Sequence, residues 1–202
     1  MPRPRVHDPD RVLDAVESLA ARSGPAAVTI RAVSEAAGVS NGAVYHRFGS
    51  RAGLVGAAWL RAARCFLAMQ GELVSAALEP ADAVIAAADA PVAFAERHPE
   101  ASKLLSAINR DELLDNDLPA ELSDQLRHVD AELIGLLIRL ADALWDRRDA
   151  AAVATITTCV VDLPTAIVLS RSRLGCATAR AQLHAAVRAV LSVGPTERGS
   201  TP

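Results

Sequence analysis

The stretch Thr29-Ile30-Arg31-Ala32-Val33-Ser34-Glu35-Ala36-Ala37-Gly38-Val39-Ser40-Asn41-Gly42-Ala43-Val44-Tyr45-His46-Arg47-Phe48-Gly49-Ser50-Arg51-Ala52-Gly53-Leu54 decides the fold. Thr29, Ser40 and Ser50 each stand where a hydroxyl oxygen can accept from a free amide of a first helical turn, so a helix is expected after each. Ile30, Val33, Ala36 and Ala37 recur at helical spacing as one apolar face before Gly38 interrupts it. Glycine takes up the left-handed backbone conformation at little cost. Two short helices with three residues between them, Gly38 first, fit a helix-turn-helix. Val39 and Val44 are expected to face inward and hold the crossing, and Ser34 is small enough for close approach.

Upstream, Asp8-Pro9 is a helix start, and Val12, Leu13, Val16, Leu19 and Ala20 keep helical spacing until Ser23-Gly24-Pro25. Downstream, a longer helix begins near Arg51 and carries Leu54, Ala57, Ala58, Leu60, Cys65 and Leu67. Beyond Glu79-Pro80 the pattern is helical almost to the end. Breaks are expected at Pro91, His98-Pro99, the acidic segment from Asp111 to Pro119, Arg147-Arg148-Asp149 and Gly175, and a kink at Pro164. Apolar-periodic stretches span about 120–145, 150–171 and 178–192, and no strand alternation or repeat appears. Half of the chain is apolar (51%) but only 3% is aromatic, with Ala, Leu and Val dominating. That composition favours packed helices over a sandwich, and the fold class is all-α.

The net charge of −3 hides an asymmetry. Residues 1–64 hold nine arginines against five acids, a balance of +4, and the remainder carries −7. A basic head on an acidic body reads as a binding module carried by something else. Three distant cysteines, Cys65, Cys159 and Cys176, without a CxxC pair, argue for reduced thiols rather than a disulfide or zinc framework. The start of the chain has no apolar run of the signal-peptide kind. The uncharged run from Ala150 to Val161 is shorter than the ~20 residues a bilayer requires, so a cytoplasmic location without membrane contact is expected. No catalytic constellation emerges. Gly49 to Gly56 lacks the Gly-Lys-Ser/Thr of a phosphate loop, and the five histidines show no metal-ligand spacing. The expectation is a non-enzymatic protein with no metal and no cofactor.

Thr29 at the opening of the second helix, Ala37-Gly38-Val39-Ser40 at the turn, Tyr45 and Phe48 around the third helix and Leu54 in the fourth resemble the DNA-binding signature of the TetR family of transcriptional regulators. The likeness reaches back to Asp8 and covers about the first 60 residues. It implies a three-helix DNA-binding domain over 1–50, an all-helical effector-binding and dimerisation domain over 51–194, and a disordered tail at 195–202. Three departures stand out: Arg51 where Lys is usual, Ser34 where Ala is usual, and Asn41 where a longer or basic residue is common.

The first turn of a recognition helix points at base edges in the major groove, which makes Ser40, Asn41, Gly42 and Ala43 candidates. Asn can read adenine, and the Ala43 methyl can touch a thymine methyl. Tyr45 and His46 lie a turn further on. Thr29 and Arg51 at helix N-termini are candidate phosphate anchors, and Arg31 is within reach of phosphate or the groove edge. Phe48 and Leu54 read as core, and Arg3 and Arg5 as an arm adding non-specific attraction. The implied effector cavity lies within Arg51 to Ala166, with Phe66, Met69, Phe94, Asn109, His128, Trp145 and Cys159 as lining candidates, although ordinary core packing is the leading reading of each; so few aromatics suit an apolar ligand. Val160, Ile167, Leu183, Val187 and Val190 are the candidate faces of a two-fold helical dimer. The expected partners are a palindromic double-stranded operator, a small-molecule effector and a second copy of the chain. The alternative is a helical small-molecule-binding protein without specific DNA readout.

Overall fold

The computed structural model describes residues 9–116 and 118–196. Among these the structure is helical without strands: α1 (Pro9–Ser23), a 3-10 turn (Pro25–Ala27), α2 (Ile30–Ala37), α3 (Asn41–Phe48), α4 (Arg51–Ser75), α5 (Pro80–Arg97), α6 (Pro99–Ala107), α7 (Arg110–Leu114), α8 (Ala120–Trp145), α9 (Ala150–Thr157) and α10 (Ala177–Val193). The Asp8 cap, Arg3, Arg5 and residues 197–202 of the expected tail lie outside the described residues.

The chain forms two compact units. One takes the described residues up to Arg64 together with His98–Val129, and the other takes Cys65–Arg97 with the described residues from Asp130 onward. In the first, Val12 and Val16 of α1, Val28, Val33 of α2, Val44 of α3 and Leu54 and Ala58 of α4 are buried. Full burial of a side chain such as Leu54 contributes about 1.5–3 kcal/mol. Ala36 of the expected apolar face is exposed and Val39 is half-buried. Ala36 lies about 100° round the helix from Ala37, so the buried face is Val33, Ser34 and Ala37. Arg61 ties α4 to α1, its Nη2 lying 2.7 Å from both Asp14 and Glu17. Trp59 Nε1 donates to the Ile108 carbonyl at 3.1 Å.

In the second unit, Val84, Ala87, Ala88 and Val92 of α5 pack with Leu136, Leu137 and Leu140 of α8, Ile156 and Cys159, and Leu183 and Val187 of α10. Asp89, on another side of α5, accepts from Arg180 Nε (2.8 Å) and Arg180 Nη2, and its Oδ1 lies 2.9 Å from His184 Nε2.

Pro91 behaves differently from the sequence expectation, and Pro164 comes with an irregular helix. Pro91 does not break α5, which runs unbroken to Arg97. Proline lacks the N–H that would bond the carbonyl four residues earlier, here Ala87. The buried side chain of Gln70 on α4 supplies the missing donor, its Nε2 reaching the Ala87 oxygen at 2.9 Å. Around Pro164, where a kink is expected, the helix widens: Thr158–Asp162 and Thr165–Leu169 are π-helical, with Leu163 N donating to Thr158 O and Ser170 N to Thr165 O. These i to i+5 bonds take up the irregularity that a proline brings into an α-helix.

Among the described residues, two helices, Arg51–Ser75 and Ala150–Leu169, are long and apolar enough to cross a bilayer by length and composition alone. The second helix thus extends beyond the uncharged run from Ala150 to Val161, across the single charge of Asp162, to Leu169. Half of the most apolar window of the first and a third of that of the second are buried inside the fold.

The thiols differ in chemistry. Burial pushes Cys159 up to about 11. At the N-terminal cap of α10, the Ala179 amide and the Arg173 guanidinium hold the Cys176 thiol below the usual cysteine value. Thiolate is the reactive form. In folded protein at pH 8, an aromatic disulfide reagent is expected to modify Cys176 at least about tenfold faster than Cys159. Stopped-flow traces of the C176S and C159S variants identify each phase, and equal rates would contradict the assignment.

Candidate functional site

The turn between α2 and α3 follows from three side chains and one glycine. Thr29 is extended (φ −115°, ψ 155°) and its Oγ1 accepts from Ala32 N at 3.1 Å, capping α2. Gly38 ends that helix at φ 68°, ψ 35°, the left-handed conformation that favours glycine. Val39 N then returns to the Ser34 carbonyl at 3.0 Å. Ser40 caps α3 through Ala43 N, also at 3.1 Å. Val33 and Val44, both almost fully buried, fix which side of each helix faces in.

With Val44 inward, the opposite side of α3 is presented to solvent. Asn41, Gly42, His46 and Arg47 are exposed, Tyr45 is 64% exposed, and Ala43 is half-buried. A Cβ added at Gly42 would meet only Ser40 Oγ, at 3.9 Å, so the backbone there is open to close approach. The first turn offers an amide side chain, bare backbone and a methyl, followed one turn later by a phenol and an imidazole. A tyrosine this exposed contributes little to the core beneath it. Thr29 and Ser40 stand exposed at the two helix starts, and Arg31 is exposed on α2. Free amides at helix starts attract anions.

Arg51 is engaged elsewhere. Its Nε donates to the Val28 carbonyl and its Nη2 to the Pro25 carbonyl, both at 2.6 Å. The guanidinium thereby clasps the turn that leads into Thr29, and these two contacts make Arg51 a positioning residue for the α2 cap. Lysine, a single ammonium, lacks the planar fork that serves two carbonyls. Arg51→Lys is expected to lower unfolding free energy by about 1 kcal/mol. Thermal denaturation measures this, and an unchanged Tm would show the clasp to be idle.

Of the effector candidates, Phe66 and Phe94 meet edge to face with ring centroids 5.5 Å apart. Met69 and Cys159 are buried, and Trp145 is half-buried against the second unit's core. Asn109 and His128 belong to the first unit and are exposed. The Asn109 oxygen caps α7 through Asp111 N at 2.9 Å. Of the dimer candidates, Val160, Leu183 and Val187 are buried in the core of their own unit, while Ile167 and Val190 are half-buried at its edge. Val193, 86% exposed, continues α10 beyond them.

Gln70 is the residue that sequence reading missed. It is 1% exposed, and its Oε1 has no hydrogen-bond partner. The signal was indirect: a proline inside a helical pattern requires a donor for the carbonyl four residues before it. No group of three or more His, Cys, Asp or Glu able to hold a metal occurs among the described residues.

Residues 12–58 match the model of the family described as bacterial regulatory proteins, tetR family. No curated protein matches the chain by sequence. Among solved structures, PfmR, a TetR family transcriptional regulator from Thermus thermophilus, is 16% identical with a TM-score of 0.68, covering 94% of this chain and 100% of that one. The transcriptional regulator FadR from Bacillus subtilis, solved with stearoyl-CoA, is 11% identical at TM-score 0.66, covering 92% and 98%. The ketosteroid transcriptional regulator KstR2 of Mycobacterium tuberculosis is 16% identical at 0.64, covering 94% and 95%. At these identities the likeness is one of fold.

Proposed function

On the match of residues 12–58 to the model of the tetR family of bacterial regulatory proteins, we propose that the chain is a homodimeric, cytoplasmic repressor released from a palindromic operator by a small, mainly apolar effector. The carrying observation is the exposed side of α3. Capped helices and an inward Val44 hold Asn41, Gly42, Ala43 and Tyr45 as a preformed surface of the size a major groove admits. Residues 1–50 read DNA, and residues 51–194 bind effector and partner. Asn41 reads a base edge, Tyr45 and His46 reach base or phosphate, and Thr29, Arg31 and Ser40 hold the backbone. Arg51 acts through the Thr29 cap. A two-fold dimer sets two such helices one turn of DNA apart. The solved FadR complex with stearoyl-CoA and the ketosteroid regulator support an apolar effector. An effector that binds better to the state with mismatched spacing lowers operator affinity by the same factor that operator lowers effector affinity.

The test is titration of the protein onto its own upstream intergenic DNA and onto scrambled duplex at two salt concentrations. Tight binding to the upstream duplex alone, weakening with salt, is expected. Tyr45→Ala is expected to cost about 10–100-fold in affinity and to leave the Tm unchanged, since the side chain is 64% exposed. Equal, weak binding to both duplexes would remove the sequence-specific reading and leave a helical small-molecule-binding protein.

A further inference from the structure

Gln70 Oε1 is a buried acceptor with an orientation that is not free to change. The Ala87 carbonyl needs a donor because Pro91 has no N–H, so the amide must turn Nε2 towards it, at 2.9 Å. That leaves Oε1 facing away, buried and without a partner. A buried acceptor without a donor is costly, and native structures rarely keep one without use.

The surroundings define what suits it. One turn before Gln70 on α4 stands Phe66, with its ring against Phe94 of α5. The contacts 70 to 87 and 66 to 94 set α4 and α5 antiparallel, with Ala83, Ala87, Ala90 and Phe94 along the side of α5 that faces α4. On that side of α5 the residue between the two contacts is Ala90, small and fully buried. The setting is apolar with one fixed acceptor. A carboxylate would set oxygen against oxygen, and an ammonium would lose its hydration for a single amide dipole. A neutral hydroxyl satisfies Oε1 and leaves the rest of the molecule on apolar surface.

We propose that Gln70 Oε1 anchors the effector by accepting a hydrogen bond from the hydroxyl of an otherwise apolar neutral molecule lying between α4 and α5 against Phe66 and Phe94. The proposal rests on the reading of the chain as an effector-responsive regulator and names the chemical class of that effector.

Matched probes test it: the C6 to C12 primary alcohols, the methyl ethers of equal chain length, and the corresponding carboxylates, titrated calorimetrically onto the full chain. The alcohols are expected to bind at least about tenfold tighter than the ethers, and the carboxylates weakest. Pro91→Ala restores an N–H for Ala87 and so releases Gln70 from its structural duty; the alcohol preference persists in this variant. In Pro91→Ala/Gln70→Met it falls to within about twofold while ether binding is retained. Equal binding of alcohol and ether to the parent protein, a preference that survives in the double variant, or failure of every probe to bind would each overturn the proposal. Operator titration of the same samples separates the two readings. Intact operator binding without an alcohol preference removes the anchor alone, whereas absent operator binding removes the regulator.

Discussion

Gln70→Leu is expected to lower the unfolding free energy by about 2 kcal/mol, because it strips the side-chain donor that reaches the Ala87 carbonyl and leaves that oxygen buried. Pro91→Ala is expected to act in the opposite direction. A proline inside a helix costs roughly 3 kcal/mol against alanine, part of which Gln70 already offsets here, and the greater freedom of the unfolded chain takes back about 0.4–1 kcal/mol. The net expectation is a gain of about 1–2 kcal/mol. In the Pro91→Ala background the Ala87 carbonyl has a helical donor, so Gln70→Leu should cost well under ~1 kcal/mol there. Urea unfolding of the four proteins gives the coupling directly. Additive single effects would show that Gln70 and Pro91 do not share the Ala87 oxygen.

The second large effect concerns Asp89, where α10 is fastened to α5. Arg180→Met leaves a carboxylate that is only 9% exposed with His184 as its remaining partner on α10. Removing one member of a buried pair costs about 3–5 kcal/mol. Arg180 is more than a third exposed, and solvent screening reduces the expectation to about 2 kcal/mol. In an Asp89→Leu background the charge is gone, and Arg180→Met should be close to neutral. The same denaturation series measures both, and a full loss of about 2 kcal/mol in the Asp89→Leu background would assign the effect to the packing of the arginine stem.

How much of this was legible in the sequence depends on how local the cause is. The caps at Thr29 and Ser40 and the left-handed Gly38 act within a few residues, so the helix-turn-helix could be read before any packing was known. The Arg51 clasp joins positions 23 and 26 residues apart, and nothing in the spacing told a phosphate anchor from a carbonyl clasp. Pro91 reads as a break in the sequence because its rescuer, Gln70, lies on another helix. Leu183 and Val187 show the limit of periodicity: it gives the apolar side of α10, but a core and a partner present the same chemistry to it. Asn109 shows a different gap, since its side chain caps the next helix while the apolar pattern around it reads as interior.

The wide turns around Pro164 have a geometric consequence. Ala152, Ile156, Val160, Pro164 and Val168 are all buried, at a strict interval of four. In an α-helix of about 3.6 residues per turn, each interval of four overshoots by about 40°, and the row would wander about 160° around the barrel of the helix. Turns closed by i to i+5 bonds hold more residues and cancel that drift. The row on the other side, Ala154, Thr158, Asp162, Ala166 and Ser170, is straightened with it, and all of these except half-buried Thr158 are exposed. The segment thus carries a rail, parallel to its axis, where an ordinary helix would carry a screw thread.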